Sequence, residues 1–393
     1  MLKGSFILGV GLVAMGCVRG EPDELVVAAP DNGEQATDVA AAPDVSPPER
    51  KAGWAVLDLV PYAPSEQTAI ALGPVPSAPL ELRSREELAE ALRPVVSRPD
   101  GLFMTREPNW VAADSYHRQV KGWKAEATAP ATPGAPVDIP PDQIQTAGAI
   151  IGGDGRTLVT NTTVLPFAAM ARVVITLDTG NVACTGTYIG PWTFVLAGHC
   201  VRSSDGSVAR RMVFEPARNG ATLPFGSFDC RNDDATTAND YLLAIPSAFA
   251  TSADPGFDFA VIDTFPCHRA PRWVGQPATN AGILVDTNVA PYGLHGYSGP
   301  ACPGAPSGSL FNCGMFGSGY ANGPWLESEF IDSDHGQSGA AWHFSGRVAG
   351  THIGYREYFD LFRCGFDVCR RNYARRIDSG YKAFLDAIAF DYP

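Results

Sequence analysis

The chain has 393 residues and a formal net charge of -13. It is longer than most single compact domains, so we expect a leader segment and a separate globular unit. The acidic balance argues against a nucleic-acid-binding surface, because such surfaces cluster Lys and Arg. High glycine (41) and proline (33) with only 18% charged residues favour short strands and turns. The globular part is therefore predicted to be β-rich.

The first 17 residues have the pattern of a signal peptide. Lys3 provides a positive start, and the apolar stretch from Phe6 to Met15 is shorter than the ~20 residues that span a bilayer as a helix. This pattern predicts a secreted or extracellular protein. Cys17 follows a small residue, as at a bacterial lipoprotein cleavage site. A membrane anchor through a lipid on Cys17 is therefore an alternative.

Residues 18–149 are predicted to form a disordered tether, a prosegment and a Pro-rich linker. The tether, up to about residue 50, has no aromatic residue and little apolar surface to offset the entropy of ordering. Residues 125–149 are rich in Ala, Pro and Thr, which predicts a protease-accessible linker. We expect residues 18–149 to be removable by a cut between about 145 and 151.

A small ordered element is predicted within this region. The stretch WAVLDLV at 54–60 is typical of a strand, and a helix is expected across Ser84 to Arg93. Ser84 would cap this helix, with Glu87 three residues later and Pro94 just past its end.

Residues 150–393 form the predicted globular unit. Apolar segments at 170–177 and 193–198 predict strands of a sandwich or barrel. A terminal amphipathic helix is predicted from four apolar residues on one face: Tyr381, Phe384, Leu385 and Ile388. We expect a monomer.

The cysteines agree with export. Eight remain once Cys17 is set aside, an even number that predicts disulfides in an oxidising compartment. Only Cys364 and Cys369 are closely spaced, and no matching His or Cys pair stands nearby, so a zinc site is not expected. No metal or other cofactor is predicted.

Three motifs supply the groups needed for amide hydrolysis. His199 ends an apolar segment in LAGHC, Asp258 enters the apolar alternation of FDFAVID, and Ser338 lies in the loop HGQSG. A nucleophile, its base and the group that orients the base occur in the order His, Asp, Ser. The backbone N–H groups of Gly336 and Ser338 are the predicted oxyanion hole.

The histidine also lies beside a cysteine. Cys200 follows His199 directly, and Cys184 lies one strand and turn earlier. A disulfide between Cys184 and Cys200 would fix the strand that carries the histidine.

Residues 150–355 resemble the bacterial glutamyl endopeptidases, a branch of the chymotrypsin clan. The resemblance rests on IIGGDGRTLVTNTTVLPF, CTGTYIG, AGHCV, ARNGATLPFGS, DFAVI, GQSG and AGTHIGY. It implies an all-β, chymotrypsin-like double β-barrel with a C-terminal helix. The implied activity is a serine endopeptidase acting on proteins or peptides. The resemblance further implies that His352 and Ser333 bind a substrate glutamate.

Alternatives remain open from the residues alone. Asp332 lies where trypsin-like enzymes hold the acid that attracts Lys or Arg, so basic specificity competes with acidic specificity. Gln337 cannot form the ion pair that activates trypsin. A catalytically silent protease-fold binding protein is a second alternative, although no triad position is lost. A lipase or esterase is disfavoured because the nucleophile lacks the G-x-S-x-G elbow.

Overall fold

A computed structural model describes residues 59–61, 83–98, 101–115, 148–151, 153–203, 206–232, 241–265, 267–274, 282–298, 302–305, 312–359 and 368–388. All of these fall in one compact unit, Lys51–Pro393. The predicted signal peptide, Cys17, the tether and nearly all of the linker lie outside the described residues and stay predictions. No helix of the described part is long and apolar enough to cross a membrane.

Ten strands form the first sheet, in the order β1-β3-β2-β10-β11-β7-β6-β5-β8-β9. Every neighbouring pair is antiparallel. The strands are β1 Leu59–Pro61, β2 Pro94–Arg98, β3 Gly101–Thr105, β5 Met170–Leu177, β6 Gly180–Tyr188, β7 Thr193–Leu196, β8 Arg211–Pro216, β9 Phe228–Arg231, β10 Leu242–Pro246 and β11 Ala260–Asp263. The strand predicted at 170–177 is confirmed, and the one at 193–198 ends at Leu196, where the chain turns into a helix.

Seven strands form the second sheet, in the order β12-β15-β16-β17-β14-β13-β4. An additional pairing between β12 and β13 closes six of them into a barrel. The strands are β4 Thr157–Leu158, β12 Val289–Tyr297, β13 Asn312–Asn322, β14 Trp325–Ser328, β15 Ala341–Phe344, β16 Arg347–Phe359 and β17 Val368–Arg376. The predicted all-β, chymotrypsin-like architecture is confirmed, with one closed six-stranded barrel and one further sheet in the described residues.

The described helices are short. They are α1 Arg85–Ala91, α2 Gly198–Val201, α3 Ser247–Ser252 and α4 Ser379–Ile388, with helical residues at 110–115 and 3-10 turns at Phe167–Ala169 and Pro255–Phe257. The Ser84 side chain accepts from the N–H of Glu87, whose carboxylate accepts from the N–H of Ser84, so the predicted capping is confirmed. The terminal helix is also confirmed, and the four apolar residues predicted on its inner face are buried.

The main hydrophobic core joins the first sheet to α1 and α4. Within β5, Val173 and Ile175 are fully buried while Val174 between them is partly exposed, as the period of two in a strand requires. Burying an aliphatic side chain of this size contributes about 1.5–3 kcal/mol. A second, smaller core fills the barrel around Trp342. Three disulfides are described: Cys184–Cys200, Cys230–Cys267 and Cys302–Cys313.

Two histidines are buried together in the barrel that the second sheet forms. Nδ1 of His295 and Nε2 of His343 are 3.0 Å apart, within hydrogen-bond distance. The rings of Phe167 and Phe316 pack edge-on against His295. Burial, together with the neighbouring His343, lowers the pKa of His295 to about 3, and burial lowers the pKa of His343 to about 4. Both rings are therefore neutral at neutral pH.

Stability should fall as the pH drops from about 6.5 towards about 4. In this range each ring gains a proton on unfolding that it does not hold when folded. Each such ring contributes a slope of about 1.4 kcal/mol per pH unit to the free energy of unfolding. Denaturant unfolding at several pH values should show a flatter dependence for His295→Asn. The exposed His335 supplies the control, His335→Asn, and an equal slope in both variants would contradict this account.

Candidate active site

His199 lies in α2, directly after β7, and a disulfide fixes this turn. β7 pairs with β6 on one side and β11 on the other. Cys200 is bonded to Cys184 of β6, with 6.3 Å between their Cα atoms, which is the predicted bridge. The histidine is therefore carried on a short helix that is covalently tied to the neighbouring strand.

Asp258 makes two hydrogen bonds to His199. Its Oδ1 accepts from the backbone N–H of His199 at 2.8 Å, and its Oδ2 lies 2.7 Å from Nδ1 of the ring. Since a carboxylate can only accept, Nδ1 carries the proton and Nε2 is left as the acceptor. Nε2 is buried and has no hydrogen-bond partner among the described residues. Asp258 is itself buried, which explains why it needs this partner.

The loop that contains Ser338 is bonded to the first sheet beside α2. The N–H of Thr185 donates to the carbonyl of Ser338 at 2.9 Å, and the Thr185 hydroxyl donates to the carbonyl of Gly336 at 2.8 Å. Sγ of Cys200 lies 3.8 Å from the same Ser338 carbonyl. The structure thus brings Ser338 next to the helix that carries His199.

Two tight turns shape this loop. The N–H of Gln337 donates to the backbone carbonyl of Asp334, and the N–H of Ala340 donates to the backbone carbonyl of Gln337. Gly336 and Gly339 have φ of 89° and 83°, values that favour glycine. The backbone N–H groups of Gly336 and Ser338, the predicted oxyanion donors, belong to these turns.

The side-chain amide of Gln337 is buried and hydrogen-bonded at both its oxygen and its nitrogen. Its amide oxygen accepts from the N–H of Asp334 at 2.8 Å, and its amide nitrogen donates to the carbonyl of Cys313 at 2.8 Å. The buried Arg156 donates a long hydrogen bond of 3.5 Å to the same amide oxygen and forms ion pairs with Asp154 and Asp334. The residue before Ser338 is therefore anchored by amide hydrogen bonds.

Both carboxylate oxygens of Asp332 accept hydrogen bonds from backbone N–H groups of residues just after the linker. Oδ1 accepts from the N–H of Ile151 at 2.6 Å, and Oδ2 accepts from the N–H of Gly155 at 2.7 Å. Burial raises the pKa of Asp332, while these two hydrogen bonds oppose the rise. The carboxylate that could attract a basic side chain is thus engaged by backbone.

Ser333 contacts a residue that the sequence did not reveal. Its hydroxyl donates to Oδ1 of Asn372 at 2.6 Å. Asn372 also accepts from the N–H of Ala149 at 3.1 Å and donates to the carbonyls of Ala149 and Ile331. Asn372 lies on β17 within an Arg-rich segment that carries no motif, so only the sheet pairing reveals its position.

His352 is fully buried on β16. Trp342 Nε1 donates a long hydrogen bond of 3.4 Å to its Nδ1, and the two rings are stacked. Accepting at Nδ1 places the proton on Nε2, which is buried without a hydrogen-bond partner among the described residues. Burial is the largest cause that lowers the pKa of His352, to about 3, and the nearby His199 lowers it further. The backbone of Tyr373 acts in the opposite direction and raises this pKa.

Comparison with known proteins identifies bacterial proteases. No family model matches the chain. It is 33% identical over 158 residues to the glutamyl endopeptidase of Bacillus licheniformis, which covers 40% of this chain and 44% of that protein. It is 38% identical over 82 residues to the extracellular metalloprotease of Bacillus subtilis, covering 20% of this chain and 26% of that protein. The chain therefore spans less than half the length of these curated relatives.

Solved structures give similar matches. A Glu endopeptidase in complex with MPD is 24% identical, with a TM-score of 0.46, and the alignment covers 62% of this chain and all of that one. The protease Anisep from Arthrobacter nicotinovorans is 16% identical, with a TM-score of 0.41 over 60% of this chain and all of that one. The predicted resemblance to bacterial glutamyl endopeptidases is confirmed by the sequence homology.

A methyl group at Gly339 should disrupt the Ser338 loop. An added Cβ would meet the carbonyl oxygen of Thr185 at 2.3 Å and the amide nitrogen of Ala197 at 2.9 Å. Because residue 339 also has a left-handed φ, Gly339→Ala should lower the free energy of unfolding by roughly 2–5 kcal/mol. Gly346 has a similar φ of 73° but open space around it, so Gly346→Ala should cost about 1–2 kcal/mol. Equal unfolding free energies for the two variants would contradict the close contact.

Proposed function

We propose that this protein is an extracellular serine endopeptidase with His199, Asp258 and Ser338 as its triad. The observation that carries the proposal is the double hydrogen bond from His199 to the buried Asp258 carboxylate. It fixes the tautomer that leaves Nε2 as a base, beside the loop of Ser338. Homology to the glutamyl endopeptidase of Bacillus licheniformis supports the same reaction.

The proposed reaction follows from these positions. Ser338 Oγ attacks the carbonyl carbon of the scissile peptide bond, and its proton moves to Nε2 of His199. Asp258 stabilises the resulting imidazolium, while the N–H groups of Gly336 and Ser338 bind the oxyanion. His199 then returns the proton to the leaving amine. Water hydrolyses the acyl-enzyme by the same base, which restores Ser338.

We further propose that the enzyme prefers Glu before the scissile bond. A cationic side chain needs an unpaired acid, yet both oxygens of Asp332 accept backbone hydrogen bonds. His352 instead offers a neutral ring with a buried donor at Nε2. A substrate carboxylate would satisfy that donor, and a charge-assisted hydrogen bond of this kind is strong.

The proposed setting is outside the cell, where the substrates are proteins or peptides. The curated relative from Bacillus subtilis is described as extracellular, which supports this setting. A membrane anchor on Cys17 stays an alternative prediction. Among the described residues there is no group of three or more side chains that could hold a metal ion.

Replacing a triad residue should abolish turnover without unfolding the protein. Ser338→Ala and His199→Ala are each expected to lower kcat by on the order of 10⁶-fold, because the nucleophile or the base is lost. Cleavage of a fluorogenic peptide and covalent labelling by a fluorophosphonate probe measure this. Ser345→Ala, at an exposed serine, is the control. A matured wild-type enzyme that does not react with the probe would favour the silent binding protein.

His352→Ala should remove the preference for Glu. Loss of one hydrogen bond to a charged group should lower kcat/KM for a Glu peptide by roughly 10- to 150-fold. Asp332→Asn, which retains one acceptor oxygen, should keep the preference. Matched peptides ending in Glu, Asp, Lys, Arg and Phe before the leaving group would measure both. Preferred cleavage after Lys or Arg that disappears in Asp332→Asn would overturn the Glu assignment while leaving the serine protease intact.

A further inference from the structure

The segment before the linker is built into the first sheet. We call residues 83–98 and 101–115 the docked segment; it contains α1, β2, β3 and helical residues 110–115. β2 pairs antiparallel with β10, from Ser97 opposite Leu243 to Pro94 opposite Pro246. β10 bonds to β11 on its other side, so β2 covers the edge that β10 would otherwise present to solvent.

The docked segment shares the core of the sheet that it covers. Leu88, Leu92, Val95 and Val96 are each at most 1% exposed, and all belong to the main hydrophobic core. Ala112 and Ala113 in the helical residues are fully buried there as well. Leaving this position would expose apolar surface on both the segment and the sheet.

Polar contacts tie the docked segment to the chain around Asp258. Arg83 forms an ion pair with the buried Asp254 and lies 5.1 Å above the ring of Phe257. Asp254 caps the 3-10 turn Pro255–Phe257, which immediately precedes Asp258. The segment therefore contacts the turn that delivers the proposed orienting acid.

Two further contacts fix the strand itself. The buried Asn232, beyond the end of β9, donates to the hydroxyl of Ser97 at 2.8 Å. The N–H of Ser247, at the start of α3, donates to the carbonyl of Arg93 at 2.9 Å. The docked segment is thus held by sheet pairing, core packing and side-chain hydrogen bonds together.

We propose that the docked segment remains bound after the chain is cut in the linker, as a permanent second chain of the mature protein. It completes the first sheet and supports the turn before Asp258, so it acts as a structural subunit and not as a discarded prosegment. The proposal rests on the proposed function only through the expected maturation cut.

A cut at an engineered site tests this without relying on the protein's own activity. A recognition sequence for an unrelated protease is inserted between residues 130 and 141 of full-length Ser338→Ala, and the protein is cut and passed over a gel-filtration column. We expect both fragments to elute in one peak and to separate only when denaturant is added. Two separate peaks, with the larger fragment folded and its Tm unchanged, would overturn the proposal.

A charge in the docked interface supplies a matched comparison. Val96→Asp places a carboxylate at a fully buried position, whereas Val111→Asp places it where the side chain is 70% exposed. After the cut, the docked fragment that carries Val96→Asp should bind the larger fragment at least about 100-fold more weakly than the parent fragment does. The fragment that carries Val111→Asp should bind as tightly as the parent. Equal retention in the two folded variants would count against the docking surface.

Hydrogen exchange covers the case in which Val96→Asp does not fold. In the cut parent protein, the amides of residues 243–245 should stay as protected as in the uncut protein, because β2 still pairs with them. Loss of that protection on cutting would overturn the proposal. Fluorophosphonate labelling of the protein with Ser338 intact is measured separately, so a failure of the protease assignment remains distinguishable from a failure of docking.

Discussion

The buried carboxylate of Asp258 is the constraint on which the rest of the site depends. Removing a carboxylate from water is costly unless hydrogen bonds replace the lost hydration. Here the replacement comes from one residue, His199, through its backbone N–H and its Nδ1. The histidine must therefore be held in one place, and the disulfide to Cys184 and the strand pairing of β7 meet that requirement.

The residues on both sides of Asp258 in the chain are held by contacts with β17 and α4. Arg375, fully buried on β17, donates to the carbonyl of Gly256 at 2.7 Å and forms an ion pair with Asp378. The ring of Phe259 stacks on that of Tyr381 from the terminal helix, with 3.8 Å between centroids. The amphipathic helix that the sequence predicts thus has a specific task, since its inner face packs against the residue following Asp258.

Features encoded by neighbouring residues could be predicted from the sequence, whereas features created by distant pairing could not. The strand at 170–177 and the capping of α1 depend on local periodicity and local hydrogen bonds, and both appear in the structure. The pairing of β2 with β10 joins segments far apart in the chain, and nothing in either segment specifies its partner. The prediction of a removable region rests on the Pro-rich linker and on the resemblance that begins after it, and neither shows that Val95 and Val96 fill a distant core.

The residues proposed to bind the substrate side chain show the same division. Ser333, His352 and Asp332 could be found by their spacing from Ser338 and by resemblance. The state of each one depends on chain that spacing does not reach. Asn372 engages the hydroxyl of Ser333, and Trp342 sets the tautomer of His352.

The chain just after the linker determines how Asp332 behaves. Ile151 and Gly155 supply the two N–H groups that occupy its carboxylate, and Ala149 bonds to the backbone of Ser333. A chain that began beyond residue 151 would lack one of these donors and would leave a buried oxygen of Asp332 without a hydrogen bond. That oxygen would either take up a proton or attract a cation, since burial already raises the pKa of this group. The position of the proposed maturation cut and the proposed charge preference are therefore linked through the hydrogen bonds of Asp332.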